Sequence, residues 1–202
     1  MDLEYSAEHV GFRDEVKAFL IEFGHQAPGP DDSGIKHPRR LAWQQLLIEH
    51  GYAARTIPRD FGGHGGQVDL LKSHIIAEEF SKASAPGALV GQGISMLVPT
   101  LLELGTPEQR ERYIAPTLSG EMVWCQGYSE PGSGSDLASL RTAAVVDGDE
   151  YVINGQKIWT STAHLADMMF CLVRTESDAP KHRGISYLLI PMDTPGIEVR
   201  PL

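Results

Sequence analysis

The chain has 202 residues, of which 42% are hydrophobic and 22% charged, and its formal net charge at pH 7 is −10. This composition is too apolar for a disordered chain and is typical of a globular protein with one domain or two small ones. The negative charge argues against nucleic acid as the main partner, because nonspecific binding to phosphate backbones depends on Lys and Arg.

The amino terminus has no basic segment followed by an apolar one, and no window approaches 18 uninterrupted apolar residues. We therefore expect no membrane span and a cytoplasmic location. The two cysteines, Cys125 and Cys171, lie inside apolar segments, which predicts buried thiols in a reducing compartment. The eight histidines show no metal-ligand spacing, so no metal site is predicted.

Apolar residues recur at helical spacing in the first part of the chain. This pattern predicts helices over residues 6–24, 38–50, 67–81 and 87–104, and another that begins after Thr106. Ser6 is a candidate N-cap, Pro38 suits a first helical turn, and Gly51 suits a stop. Thr106 and Gln109 have the spacing of a capping box. Residues 1–120 are thus predicted to form an all-α domain.

The pattern changes to short β-rich runs after Gly120. The predicted strands cover residues 122–126, 141–146, 151–159, 168–175, 184–191 and 197–200. The residues Asp-Gly-Asp-Glu at 147–150 are typical of a hairpin turn, and Asn154-Gly155 predicts a bend. Residues 121–202 are therefore predicted to form a domain built on an antiparallel sheet or barrel, which makes the fold class α+β.

Residues 128–136, here called the serine loop, carry small polar groups directly after a predicted strand. Gly132 and Gly134 alternate with Ser133 and Ser135, so several backbone amides and hydroxyls can point at one anionic or carbonyl-rich ligand. The alternative is an ordinary surface loop. The spacing matches neither a P-loop nor the dinucleotide fingerprint of a βαβ unit.

A second polar segment lies at the end of a predicted strand, where Trp159 is followed by Thr160 and Ser161. A planar heteroaromatic ligand needs an apolar face and a few placed polar groups at its edge. The alternative is a core tryptophan followed by hydroxyls that satisfy a strand end. The residues alone leave both interpretations open.

The stretch YSEPGSGSDLASL, followed by DGDEYVINGQKIWTSTAHLADMMFCLVRT, resembles the acyl-CoA dehydrogenase family. These flavoenzymes introduce a double bond between the α and β carbons of acyl-CoA thioesters. The resemblance covers the whole chain as an N-terminal helical domain and a middle β domain. It implies FAD as cofactor, acyl-CoA as substrate, an electron-transfer flavoprotein-type acceptor, and a homo- or hetero-oligomer.

The resemblance also implies roles for individual residues. Ser129 would contact the isoalloxazine edge, Ser135 would also help hold the acyl-CoA, Trp159 would pack beside the flavin, and Ser161 would lie near N5. The implied FAD contacts are Gln126, Gly127, Tyr128, Ser129, Gly134, Ser135, Trp159, Thr160 and Ser161. The chain departs from the family at Gln126, where an aromatic residue is common, and at Ser129 and Ser161, where threonine is.

Family members are about twice this length, and their third, helical domain supplies the glutamate that removes the α proton. The resemblance therefore implies a chain without the C-terminal helical bundle, and no catalytic residue is assigned. We expect Glu79 and Glu103 to be solvated on helices and Glu130 to brace the serine loop. The chain alone is predicted to be inactive.

Two other functions remain open at this point. The chain could be a non-catalytic FAD- or acyl-CoA-binding subunit of a hetero-oligomer, or an oxidase or monooxygenase on the same scaffold. Turnover by the isolated chain separates an enzyme from a subunit, and oxygen consumption separates an oxidase from a dehydrogenase. The acyl group is also open among linear, branched and steroid-derived chains.

Overall fold

A computed structural model describes residues 5–201. Over these residues the chain forms five α-helices and a five-stranded sheet, which confirms the α+β class. The chain divides into two compact units. One contains the residues up to 90 together with 100–121, and the other contains residues 91–99 together with the chain from 122 onward.

The helices account for most of the first unit. They are α1 (Ala7–Phe23), α2 (Pro38–Glu49), α3 (Leu70–Lys82), α4 (Val98–Leu104) and α5 (Pro107–Ser119), and α4 begins in the second unit. The side chain of Ser6 accepts a hydrogen bond from the His9 amide at 3.4 Å, as an N-cap should. Thr106 and Gln109 make both bonds of a capping box. The local signals therefore located these helix starts correctly.

Two predicted helix boundaries differ from the structure. Helix α3 begins at Leu70 because the Asp69 carboxylate accepts the Lys72 amide at 2.9 Å and caps the helix there. The helix predicted over residues 87–104 is wrong in its first part, since residues 87–91 are not helical. A π-helical turn covers Gly93–Leu97 before α4.

The second unit is built on a mixed sheet. Its strands are β1 (Trp124–Gly127), β2 (Ala143–Asp147), β3 (Glu150–Asn154), β4 (Met168–Arg174) and β5 (Ile185–Pro191). Antiparallel pairs join β2 with β3 and β4 with β5, whereas β1 pairs with β4 in parallel. The prediction of an antiparallel sheet is therefore correct for two pairs of strands and wrong for the pair of β1 with β4. About forty residues separate β1 from β4, and a long connection permits a parallel pair.

The β2–β3 hairpin turns where the sequence predicts it. Asp147 pairs with Glu150, and Gly148 has a φ of +62°, which suits the first central residue of a type II′ turn. Strand β3 ends at Asn154, well before the predicted end at residue 159. Gly155 packs so closely on Thr142 that a β carbon would lie 2.3 Å from the Thr142 hydroxyl. The predicted strand over residues 197–200 is absent from the described chain.

Both units have buried apolar cores. Val16, Leu47, Ile75 and Ile114 are fully buried in the first unit. The second unit buries Phe170, Val173, Cys125 and Cys171, and both cysteines are free thiols. The predicted burial of the two cysteines is therefore confirmed. Across the part of the chain that the structure describes, no helix combines the length and the apolar character that crossing a membrane requires.

Candidate functional site

The two polar segments singled out in the sequence lie side by side in the second unit. The Ile158 amide donates to the Ser129 carbonyl at 2.9 Å. The Lys157 ammonium donates to the Tyr128 carbonyl at 3.1 Å and to Glu130 Oε1 at 3.0 Å. The chain thus brings the start of the serine loop against the residues that lead into Trp159.

The Glu130 carboxylate is the centre of this contact. Oε2 accepts the Arg141 amide at 2.7 Å, and Oε1 accepts the amide and the hydroxyl of Thr142 at 2.8 and 2.6 Å. Burial would raise the pKa of Glu130, but these hydrogen bonds and the one from Lys157 lower it to about 2. Glu130 is ionised and fully engaged at neutral pH, which confirms that it braces the loop.

The rest of the serine loop is held from within and from one side. Glu130 and Ser133 exchange backbone hydrogen bonds of 2.9 and 3.0 Å, and the buried Ser133 hydroxyl donates to the Asp136 carbonyl at 2.8 Å. Lys181 forms an ion pair of 2.7 Å with the Asp136 carboxylate. Gly134 and Ser135 are exposed at the tip. The ends of the loop are therefore fixed by hydrogen bonds and an ion pair, whereas its tip is accessible.

Trp159 is an exposed residue in an unusual conformation. Its exposed fraction is 72%, so the interpretation as a core tryptophan is wrong. Its φ is +60°, and that of Thr162 is +65°. Positive φ is a rare and costly conformation for bulky or β-branched residues, and such strain is concentrated at functional sites. Residues 159–162, here called the tryptophan turn, thus carry a structural sign of function that does not depend on the resemblance.

The hydroxyls beside Trp159 differ in their surroundings. Thr160 Oγ1 is buried, and it has no hydrogen-bond partner within residues 5–201. A buried hydroxyl without a partner costs free energy and needs an explanation. Ser161 is exposed, and its amide donates to the Trp159 carbonyl at 2.9 Å. A ligand at the tryptophan turn would therefore find one unsatisfied hydroxyl and one accessible hydroxyl.

The remaining predicted site residues lie on or beside β1. Gln126 accepts a hydrogen bond from the Gln92 side chain at 3.3 Å and donates one to the Met96 sulfur at 3.4 Å. Gly127 is buried. The Tyr128 ring packs edge-on against Phe170 with a centroid distance of 5.8 Å. The half-buried Tyr128 side chain thus packs on the sheet, and its carbonyl is the part that bonds to Lys157.

Sequence reasoning missed three residues of this region. Lys157 lies in the NGQKIWTST segment of the sequence, where no role was predicted for it. Its isolated charge among hydroxyl and apolar residues could have indicated an ion-pair partner elsewhere in the chain. Gln92 and Met96 lie at the π-helical turn Gly93–Leu97, and no local pattern linked them to Gln126. A π-helical turn is itself frequent at functional sites.

The three carboxylates considered as bases are differently placed. Glu79 is buried, which corrects the expectation that it is solvated, and it pairs with Arg13 and with Lys82. These partners lower its pKa against the opposing effect of burial. Glu103 is exposed on α4. Over the described residues, no group of three His, Cys, Asp or Glu side chains is arranged to hold a metal ion.

Comparison with known protein families gives a match over nearly the entire chain. Residues 6–121 match the acyl-CoA dehydrogenase N-terminal domain, and residues 125–202 match the acyl-CoA dehydrogenase middle domain. The chain therefore belongs to the acyl-CoA dehydrogenase family.

Individual relatives agree with this result. Acyl-CoA dehydrogenase IpdE1 of Mycobacterium tuberculosis is 43% identical over 202 residues, which are 95% of this chain and 51% of that protein. The Tcur3481-Tcur3483 steroid ACAD is 35% identical with a TM-score of 0.73, over 97% of this chain and 50% of that one. The ChsE4-ChsE5 complex of M. tuberculosis is 33% identical with a TM-score of 0.72, over 96% and 49%. The chain spans about half the length of these relatives.

Proposed function

We propose that the chain is the N-terminal and middle part of an FAD-dependent acyl-CoA dehydrogenase. In this proposal the second unit binds the flavin and part of an acyl-CoA thioester, and the reaction forms a double bond between the α and β carbons. A cytoplasmic location is part of the proposal, and the two buried free thiols support it.

The observation that carries the proposal is the state of the tryptophan turn. An exposed indole at positive φ stands next to a buried hydroxyl that has no partner within residues 5–201. A planar heteroaromatic ring with polar atoms at its edge would cover the first and satisfy the second. Membership of the acyl-CoA dehydrogenase family supports flavin as this ring.

The residues present fit the cofactor. Trp159 offers an apolar face, and Thr160 and Ser161 offer hydroxyls for the polar edge of the isoalloxazine. A β carbon at Gly132 or Gly134 would meet no atom within 4 Å, so the tip of the serine loop has open space beside it. We propose that Gln126, Gly127, Tyr128 and Ser129 border the ring through β1 and the loop base, and that Gly134 and Ser135 contact the pyrophosphate.

When bound, FAD would supply the acceptor for the hydride that leaves the β carbon. The chain's own residues would bind and orient the flavin and the acyl-CoA. Fixed hydroxyls and amides would stabilise charge at the flavin edge without reorganising during the reaction. Ser135 would also contact the acyl-CoA. We assign no base, because Glu130 and Glu79 are engaged in ion pairs and Glu103 is exposed on α4. The electrons would pass to an electron-transfer flavoprotein-type acceptor.

The state of these carboxylates favours a second candidate function. A chain that binds FAD and acyl-CoA without an available base would act as a subunit of a hetero-oligomer whose partner chain removes the proton. The ChsE4-ChsE5 complex, a solved relative whose name gives two components, supports this second candidate.

Titration of FAD into the full chain tests the flavin site. We expect quenching of tryptophan fluorescence, most of which is lost in Trp159→Phe. Trp43→Phe is the matched control, because Trp43 is buried in the first unit and its removal should leave the FAD-dependent quench in place. An unchanged quench in Trp159→Phe would move the flavin to another site.

An anaerobic experiment separates the two candidate functions. The FAD-loaded chain is mixed with a panel of acyl-CoAs while the flavin absorbance is followed. Bleaching by the chain alone would show that it contains a base and would reject the subunit reading. Bleaching only after a partner chain or C-terminal fragment is added would support it. A positioned base is worth about 10²- to 10⁴-fold in rate, so the difference is measurable.

A further inference from the structure

Lys157 is a largely buried cation in the second unit, and its side chain is only 9% exposed. Lysine is rarely buried unless it is paired, because the ammonium loses its hydration. The Lys157 ammonium recovers part of that loss from the Glu130 carboxylate at 3.0 Å and from the Tyr128 carbonyl at 3.1 Å. If no role required the charge, an apolar side chain at this position would avoid the free-energy cost of removing an ammonium from water.

The ion pair links three separate stretches of chain. Glu130 belongs to the serine loop, Thr142 and the Arg141 amide precede β2, and Lys157 follows β3. Gly155 allows the chain to leave β3 and pass close to Thr142, which takes Lys157 toward Glu130. The segment that leaves β3 therefore leads directly to the Lys157–Glu130 ion pair.

The strained conformation begins two residues after Lys157. Strain of this kind persists only where the surrounding structure over-determines it. On the upstream side of Trp159 the described fixed points are the Lys157 contacts and the 2.9 Å hydrogen bond from Ile158 to Ser129. Without the Lys157 contacts, the Ile158 amide would make the one remaining described hydrogen bond from this side of the turn to the serine loop.

We propose that Lys157 is a positioning residue, which fixes the tryptophan turn against the serine loop and so organises the proposed flavin site before any ligand binds. The identity of the ligand in this proposal rests on the function proposed above. The role of Lys157 in fixing the tryptophan turn concerns the ligand-free chain and does not depend on that function. Lys157 acts through Glu130 and Tyr128, and no contact between Lys157 and the flavin is required.

Hydrogen exchange of the ligand-free full chain tests the fixing directly. In Lys157→Met we expect the Ile158 amide to exchange about tenfold faster, while amides in β4 keep their wild-type rates. Lys181→Met is the matched control, because Lys181 also pairs with an acid of the serine loop but is 56% exposed. It should leave the Ile158 amide unchanged. Wild-type exchange at Ile158 in Lys157→Met would overturn the proposal.

FAD affinity gives the functional arm. A displaced turn should weaken FAD binding by Lys157→Met about 10- to 100-fold, since small misplacements of positioned groups have effects of this size. Lys181→Met should bind within about twofold of wild type, as expected for an exposed pair. Equal affinity in Lys157→Met and wild type would contradict the positioning role. If the wild-type chain binds no FAD, the proposed function fails, and the exchange arm still decides whether Lys157 fixes the turn.

A second variant covers the case in which Lys157→Met does not fold. Glu130→Gln keeps the shape of the side chain and one carbonyl acceptor but removes the charge that pairs with Lys157. We expect the same local increase in exchange at Ile158, and a native far-UV spectrum. A folded Glu130→Gln chain with unchanged exchange at Ile158 would overturn the proposal on its own.

Discussion

Glu79 on α3 is buried and forms an ion pair with Arg13 on α1. Arg13 also lies 2.7 Å from Glu78, and Lys82 lies 3.0 Å from Glu79. The desolvation of Glu79 is thus compensated by two cations, one from its own helix and one from α1. This arrangement gives Glu79 a structural role in the first unit and explains why a buried carboxylate there is not a candidate base.

The first prediction concerns this pair. Glu79→Gln should lower the free energy of unfolding by about 1–3 kcal/mol, because Arg13 loses a charged partner at a buried site. Glu103→Gln on the exposed side of α4 is the control and should leave stability unchanged. Urea unfolding of both variants measures the difference. Equal stability of the two variants would contradict the role given to Glu79.

The second prediction concerns the cysteines. Burial raises the pKa of both Cys125 and Cys171 to about 11. The thiolate is the reactive form, so neither cysteine should react with iodoacetamide in the native chain at pH 8, and both should react after unfolding in urea. Mass spectrometry counts the added groups. Rapid labelling of the native chain would show that the second unit opens far more often than its buried core implies.

The third prediction concerns pH. The pKa of Glu130 is lowered from 4.5 to about 2, so its ionised form stabilises the fold. This stabilisation is fully present above about pH 4.5 and is lost as the pH falls toward 2, because the unfolded state binds the proton first. A pKa lowered from 4.5 to about 2 corresponds to at most about 3 kcal/mol of stabilisation. The stability difference between wild type and Glu130→Gln should therefore shrink between pH 5 and pH 3. A stability difference that stays constant between pH 5 and pH 3 would contradict the stabilising role of the Glu130 charge.

Features that depend on neighbouring residues in sequence were predictable. The caps at Ser6 and Thr106 and the turn at Gly148 are decided within four residues, and each was located correctly. The burial of the two cysteines followed from the apolar runs around them. Local hydrogen bonds and local hydropathy are enough to specify these features.

Features that depend on distant partners were not predictable. The burial of Glu79 requires Arg13, which is 66 positions away in sequence. The parallel pairing of β1 with β4 joins strands that are distant in sequence, and the pairing direction was not predicted. The early end of β3 depends on the approach of Gly155 to Thr142. For the candidate site, the two motifs were found in the sequence, but the positive φ of Trp159 and the role of Lys157 required their tertiary contacts.

The fourth prediction concerns the β2–β3 hairpin. Val145 and Val152 face each other across it and are 63% and 47% exposed, and within residues 5–201 β3 pairs with β2 alone. An exposed apolar edge strand promotes association between chains. Val152→Lys should therefore reduce self-association in sedimentation velocity experiments, and Glu150→Lys at the turn serves as a control for the added charge. Equal association of both variants with wild type would place the contact elsewhere.

The last prediction concerns Thr160, whose buried hydroxyl has no partner within the described residues. Thr160→Val keeps the shape of the side chain and removes the unsatisfied group, so the ligand-free chain should melt at the same temperature or higher. If the hydroxyl bonds to the flavin edge, the same variant should bind FAD about 2- to 10-fold more weakly, the value of one neutral hydrogen bond. Ser161→Ala, at an exposed hydroxyl, should weaken FAD binding by a similar factor without any gain in stability. Thermal melting with and without FAD measures both effects. A Thr160→Val chain that is destabilised without ligand and binds FAD normally would show that the hydroxyl is a structural group.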